Sequence, residues 1–200
     1  WLYYADRVAQ LPLGVIGIAL GTALLPKLSA AEAAGQSAEV RNSLSKAIGF
    51  AGFFVIPAVI GLVLCRLQII KGLFAYGAFT NSDAKMAAMA LAAYGCGLPG
   101  FVMVKVLQTA FYATGQPTVV LKISMITVVI NVAGSLLLMP ILGHVGLALA
   151  TAISGTMAAA IMLYLLAQQD RLSASFLPVC GKIMLASMVM GVAIIGLQFG

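Results

Sequence analysis

Residues Tyr3–Leu25 read YYADRVAQLPLGVIGIALGTALL, in which a charged pair precedes an apolar run long enough to cross a membrane. The pair is Asp6 and Arg7, and Pro26 with Lys27 ends the run. Only 8% of the chain is charged, so a charged pair at the head of such a span needs a partner, a water-filled cavity or a nearby interface. Asp6 and Arg7 are therefore the first candidates for a functional site.

The composition of the chain predicts a protein that lies in lipid. Of the 200 residues, 62% are hydrophobic and the mean hydropathy is +1.11, whereas a soluble domain is about 45–50% apolar. A membrane β-barrel would alternate apolar and polar residues in segments of about ten. The apolar runs here are continuous and about 20 residues long, so we predict an all-α, polytopic membrane helical bundle.

Six apolar stretches of this kind divide the chain. The predicted membrane spans cover residues 2–25, 44–64, 86–112, 119–138, 145–166 and 179–197. Between them, residues 29–43 are polar enough to form a short surface helix. In residues 66–74 apolar and polar side chains alternate, as expected of an amphipathic helix at the membrane interface. Tight turns are predicted at 113–117 and 140–144, and a polar linker at 168–178. We expect the chain to be a fragment of a longer protein.

The basic residues predict the orientation of the bundle. Six lie on one side of the predicted spans and three on the other: Lys27, Arg41, Lys46, Lys122, Arg171 and Lys182 against Arg66, Lys71 and Lys85. Because cytoplasmic loops are enriched in Lys and Arg, the first group is predicted to be cytoplasmic. The segment between the second and third spans would then lie on the outer side.

The sequence does not indicate an enzyme. His144 lies in a predicted turn without a carboxylate or cysteine beside it in the sequence, and the five acidic residues are too scattered to form a catalytic pair. No nucleotide-binding glycine loop, metal-ligand spacing or cofactor motif occurs. The net charge of +6 is spread over span ends, which fits anionic lipid better than nucleic acid.

Two basic residues within spans are candidates for substrate binding. Arg7 is suited to holding a phosphate or carboxylate in a two-pronged way, or it reaches the interface and pairs with Asp6. Lys105 lies midway along the third span and, if buried, needs an anion or a carbonyl. It either faces a substrate path or joins helices as a structural contact.

Neutral polar residues and helix breakers form two further groups of candidates. Asn131 and Ser135 share one face of the fourth span, and Thr151 of the next span can approach them. These oxygens suit a sodium ion, although ordinary interhelical hydrogen bonding also explains them. The candidate hinges, where glycine and proline loosen a membrane helix, are Pro57, Pro99 and Gly100.

The opening motif resembles the MurJ/MviN family of lipid II flippases. Tyr3–Val15 and the following stretch to Ser29 are similar to the opening of the eighth span of that family. Weaker similarity follows in the family's order, in the outer-loop motif 73–80, at Val104–Leu107 with Phe111–Ala113, and at 143–150. The similarity covers nearly the whole chain.

The resemblance implies a fold and a function. Family members belong to the multidrug/oligosaccharidyl-lipid/polysaccharide exporter superfamily and have two lobes around a central cavity. Residues 1–168 would form the C-terminal lobe, and 179–197, with its methionines, an additional helix of a lipid-tail groove. The implied function is to move lipid II, the peptidoglycan precursor, from the inner to the outer leaflet of the bacterial cytoplasmic membrane by alternating access. Arg7 corresponds to a cavity arginine of the family.

The resemblance also implies partners and leaves alternatives open. Lipid II and membrane lipids are the expected partners, with cell-wall synthesis proteins as further ones, and the membrane potential or an ion gradient is the expected energy source in place of a cofactor. Ser135 occupies the position at which some relatives carry an acid for sodium. The alternatives are a drug or polysaccharide exporter of the same superfamily, and a non-transporting membrane scaffold in which Asp6 and Arg7 join helices.

Overall fold

The computed structural model describes residues 1–77 and 79–172, which form helices and short connections without a β-strand. The first membrane helix consists of α1 (Leu2–Pro12), a π-helical segment (Leu13–Ile18) and α2 (Ala19–Ala33). The remaining helices are α3 (Ser37–Leu64), α4 (Arg66–Phe74), α5 (Asn81–Ala113), α6 (Pro117–Leu142) and α7 (His144–Gln168). Five helical stretches are long and apolar enough to cross a membrane within this part of the chain.

The five spans predicted within the described residues are confirmed, but their helices are longer than predicted. The prediction of a separate surface helix in residues 29–43 was wrong, because α2 runs to Ala33 and α3 begins at Ser37. The turn at 140–144 was also too long: α6 continues through Pro140, and Gly143 alone separates it from α7. Gly143 has a φ of +58°, a conformation that favours glycine. The sixth predicted span, 179–197, lies outside the described residues.

The helix α5 is the centre of the bundle and packs against every other helix. Its contact with α7 depends on small residues. A Cβ on Gly97 would lie 2.6 Å from Ala152 Cα, and one on Gly100 would lie 2.7 Å from Thr156 Cα. Glycine at these positions therefore allows the two backbones to approach closely, as small residues do in membrane interfaces.

The outward faces of the bundle are apolar. The most hydrophobic stretch of α6 has no buried residues, and Leu136 and Leu137 are about 70% and 71% exposed. Phe50, Phe53 and Phe54 give α3 a similar exposed face. In water such surfaces would be unfavourable, whereas lipid tails solvate them. The exposure pattern thus agrees with a bundle that lies in a membrane.

The α5 N-terminus is held by a capping box. Thr80 Oγ1 accepts a hydrogen bond from the Asp83 backbone N–H, and the Asp83 carboxylate accepts one from the Thr80 N–H at 2.9 Å. Trp1 Nε1 donates to the same carboxylate at 2.6 Å, and the Trp1 ring packs on His144. These contacts join the first residues of α1, α5 and α7 at one end of the bundle.

The opposite end of the bundle is held by ion pairs. Arg171, which follows α7, donates two hydrogen bonds of 2.8 Å to the Glu32 carboxylate of α2. These bonds raise the pKa of the Arg171 guanidinium above its ordinary value. Lys27 pairs with Glu39 at 3.3 Å across the α2–α3 turn. The ends of α2, α3 and α7 are therefore connected by charge.

Candidate functional site

A groove runs between the first membrane helix and α5. It has a volume of about 530 Å³, and we call it the α1–α5 groove. Its polar lining consists of Gln10, Thr22, Lys105, Gln108 and Thr109. On the side of the first helix the groove also has Gly14, Gly17 and Gly21. Small residues on one wall and amide and ammonium groups on the other leave room for an anionic ligand.

The π-helical segment forms the middle of this groove. A Cβ on Gly17 would lie 3.3 Å from Cγ of Lys105, and one on Gly21 would lie 3.5 Å from Thr109 Oγ1. The first helix therefore lies against the side chains of Lys105 and Thr109 here. Single π turns inside α-helices are frequent at functional sites, and this one lies directly after Pro12, which lacks a backbone N–H.

Arg7 lies one turn above the groove and is exposed. Its Nη1 donates a hydrogen bond of 3.4 Å to Oε1 of Gln10, and the guanidinium lies 4.9 Å from the centroid of the Tyr3 ring. Gln10 Nε2 donates in turn to the Asp6 carboxylate. Among the ion pairs of the described residues there is none between Asp6 and Arg7. Gln10 thus connects the two charged residues, and most N–H groups of Arg7 stay available.

Lys105 is exposed rather than buried, and it borders two cavities. One is the α1–α5 groove, and the other is a cavity of about 470 Å³ between α5, α6 and α7, which we call the α5–α7 cavity. Gln108, one turn further along α5, also borders both. At the junction of the two cavities, the ammonium is available to a ligand in either of them.

The predicted polar trio is brought together only in part. Asn131 Nδ2 donates to Thr151 Oγ1 at 3.1 Å and to Ser154 Oγ at 3.2 Å, on the wall of the α5–α7 cavity. Ser135 does not line this cavity, although it lies one turn from Asn131 on α6. Ser154 takes the place that the prediction gave to Ser135.

The candidate hinges lie within continuous helices. Pro57 is inside α3, and Pro99 and Gly100 are inside α5. Gly100 packs against the Thr156 backbone. This close packing explains why a glycine is needed here even if the helix does not bend. Whether these three residues act as hinges stays a prediction.

Several polar residues that line the two cavities were missed in the sequence, Thr22, Thr109, Ser124 and Thr127 among them, and three more had a signal in the spacing. Gln10, Gln108 and Ser154 lie three residues after Arg7, Lys105 and Thr151. A spacing of three places two side chains on the same helix face. Searching one turn on either side of each predicted polar residue would have found all three.

The fold defines a class of protein: an all-α, polytopic membrane helical bundle. The profile of the family described as "Lipid II flippase MurJ" matches residues 1–199. The chain belongs to this family, whose members are transporters rather than catalysts, and it is a multi-pass bacterial membrane protein.

Individual relatives agree with this assignment. A probable lipid II flippase MurJ of Rhizobium tropici is 41% identical over 154 residues, which are 77% of this chain and 29% of the relative. A probable lipid II flippase MurJ of Haemophilus influenzae is 33% identical over 205 residues, 97% of this chain and 39% of the relative. The chain therefore spans about two-fifths or less of the length of these curated relatives.

A solved structure has the same fold. It is described as lipid II flippase MurJ in an inward closed conformation and superposes with a TM-score of 0.87 at 27% sequence identity. The superposition covers 100% of this chain and 41% of the solved chain.

Proposed function

We propose that the protein moves lipid II from the inner to the outer leaflet of the bacterial cytoplasmic membrane by alternating access. The observation that carries the proposal is that Gln10, Lys105 and Gln108 line the α1–α5 groove and Arg7 lies one turn beyond it, hydrogen-bonded to Gln10, in a chain that belongs to the lipid II flippase family. Two cations on one open face suit the pyrophosphate of a lipid-linked precursor.

Arg7 has the central role in this proposal. Its guanidinium has donors available on an exposed face, and Arg binds phosphate oxygens through two parallel hydrogen bonds. Gln10 and Asp6 orient the arginine through the chain of hydrogen bonds between them. Lys105 supplies a second positive charge further along the groove, and Gln108 an amide that can bind sugar or phosphate oxygens.

The remaining parts of the proposal concern energy and movement. The lobe rocks against the rest of the transporter, with Pro57, Pro99 and Gly100 as bending points, and an ion gradient or the membrane potential drives the cycle. Asn131, Thr151 and Ser154 offer hydroxyl and amide oxygens to a cation in the α5–α7 cavity. Cell-wall synthesis proteins would receive the transported precursor.

Complementation tests the proposal. The full-length gene and its Arg7→Ala version are expressed in a bacterium depleted of its own lipid II flippase. We expect growth with the wild type and no growth with Arg7→Ala at equal membrane abundance, because one phosphate ligand is lost. Lys71→Ala is the matched control, since Lys71 is an exposed cation that borders neither cavity, and it should support growth.

The other outcomes are equally informative. If the wild type is in the membrane but does not restore growth, the protein is a drug or polysaccharide exporter of the same superfamily and not a flippase. If Arg7→Ala restores growth, the protein is still a flippase, but Arg7 has no part in transport. Exchanging the two charges, with Asp6→Arg and Arg7→Asp together, should abolish transport but would be tolerated by a scaffold.

A further inference from the structure

A second polar groove lies away from the candidate substrate path. It is formed by α4 and the first turns of α5, has a volume of about 500 Å³, and is called here the α4–α5 groove. Arg66 and Lys85 line it from the two helices, and Leu67, Met86 and Met89 supply apolar surface. The groove therefore combines positive charge with an apolar wall.

The charge of this groove is not compensated by protein. No acidic residue lines it, and neither Arg66 nor Lys85 takes part in an ion pair of the described residues. The acid closest in sequence, Asp83, is turned to Trp1 and Thr80 by hydrogen bonds. The groove thus presents two positive charges to whatever occupies it.

Arg66 is held in place for such a contact. It is half-buried, and its Nη1 donates a hydrogen bond of 2.6 Å to the carbonyl of Val63 at the end of α3. This bond fixes the side chain and leaves the other guanidinium donors available. Ser82, which also lines the groove, is in the first turn of α5, where backbone N–H groups favour an anion.

The position of the groove in the chain indicates its surroundings. α4 is a short helix between the ends of two membrane-crossing helices, α3 and α5, so it lies where the bundle leaves the lipid. Its Ile70 is fully buried against the bundle, while Gln68 and Lys71 are exposed. A helix with these two faces lies along the membrane interface, at the depth of phospholipid headgroups.

We propose that the α4–α5 groove binds one anionic phospholipid of the surrounding membrane. Its phosphodiester lies between Arg66 and Lys85, and the start of an acyl chain lies along Leu67, Met86 and Met89. This contact would fix α4 at the interface. The proposal does not depend on lipid II transport, since it concerns a surface that shares no residue with the α1–α5 groove.

The test is a lipid titration of the purified full-length protein in detergent, followed by native mass spectrometry. The probes are dioleoyl-phosphatidylglycerol and, separately, dioleoyl-phosphatidylcholine. We expect the wild type to prefer the anionic lipid, and the double variant Arg66→Gln/Lys85→Gln to bind it about thirtyfold more weakly, or roughly fivefold for each lost charge. The control variant Lys71→Gln/Lys122→Gln loses the same number of positive charges, but at two exposed positions outside the groove. It should retain the wild-type affinity.

A single variant separates the loss of lipid binding from a folding defect. Lys85 is exposed, so Lys85→Glu leaves the bond between Arg66 and Val63 intact and should still abolish the preference for phosphatidylglycerol. Equal weakening by the two double variants would mean that the lipid responds only to overall charge. That result, or equal wild-type affinity for both lipids, would overturn the proposal.

Discussion

At the scale of single residues, the close packing of α5 on α7 depends on glycines of α5. Gly97 leaves no room for a methyl group, because the nearest backbone atom of α7 would be 2.6 Å away. Gly97→Ala forces the two helices apart, and overpacking of this kind costs about 1–3 kcal/mol. We expect a lower thermal midpoint of unfolding in detergent, measured by circular dichroism.

Gly61→Ala is the control for this substitution. Gly61 lies in α3, and nothing is within 4 Å of the position of its Cβ. This variant should unfold at or slightly above the wild-type temperature, since alanine favours the helix. A Gly97→Ala protein as stable as the Gly61→Ala protein would show that the contact between α5 and α7 is looser than described.

At the scale of elements, the π-helical segment widens the backbone of the first membrane helix beside Lys105. A π turn contains one residue more than an α turn, so deleting Val15, which is 73% exposed, should restore a continuous α-helix. Arg7 and Gln10 would keep about the same rotation relative to Gly21, because the wide turn takes up the extra residue, but the widened backbone beside Lys105 would be lost from the groove. We expect the deletion to abolish complementation while the protein remains in the membrane.

Val15→Ala separates the effect of losing the π turn from that of losing the side chain. It keeps the length of the segment and should support growth as the wild type does. If the deletion also supports growth, then the π turn in the α1–α5 groove is unimportant for transport.

The elements also show how far sequence reasoning reaches. Continuous apolar runs predicted the five described spans, and alternation predicted α4, because both patterns follow from the period of a helix in lipid. The π-helical segment could not be foreseen, since Pro12 and Gly14 permit it without requiring it. Ser135 was predicted beside Asn131, and Ser154 was missed, because a sequence gives the faces of α6 and α7 but not their relative rotation. Close approaches set that rotation, such as the one at Gly134, where an added Cβ would lie 3.3 Å from Ala150 Cβ.

At the scale of the whole molecule, the pair of Glu32 and Arg171 joins residues 139 positions apart. Both side chains are about a quarter to a third exposed, at 32% and 25%, and the contact is bidentate. We expect Arg171→Gln to lower the free energy of unfolding by about 1 kcal/mol, and less at high salt. Urea or heat unfolding in detergent at two salt concentrations measures the change.

The matched comparison is Lys27→Gln. Lys27 and Glu39 form a single contact with side chains that are 57% and 47% exposed, and they lie on neighbouring helices. Its loss should cost less than the loss of Arg171, because exposed single-contact pairs contribute little to stability. Equal costs for the two substitutions would mean that the bidentate contact at the end of α7 adds no stability beyond that of an ordinary surface pair.

The connection between α6 and α7 has a consequence for how the protein is made. Gly143 alone separates the two helices, and a Cβ on Gly146 would collide with the Leu138 carbonyl. Neither helix can therefore move independently of the other. We expect the two to leave the insertion machinery together as a preformed hairpin. The topology of the second helix would then be decided by the first, before the ribosome has released the chain.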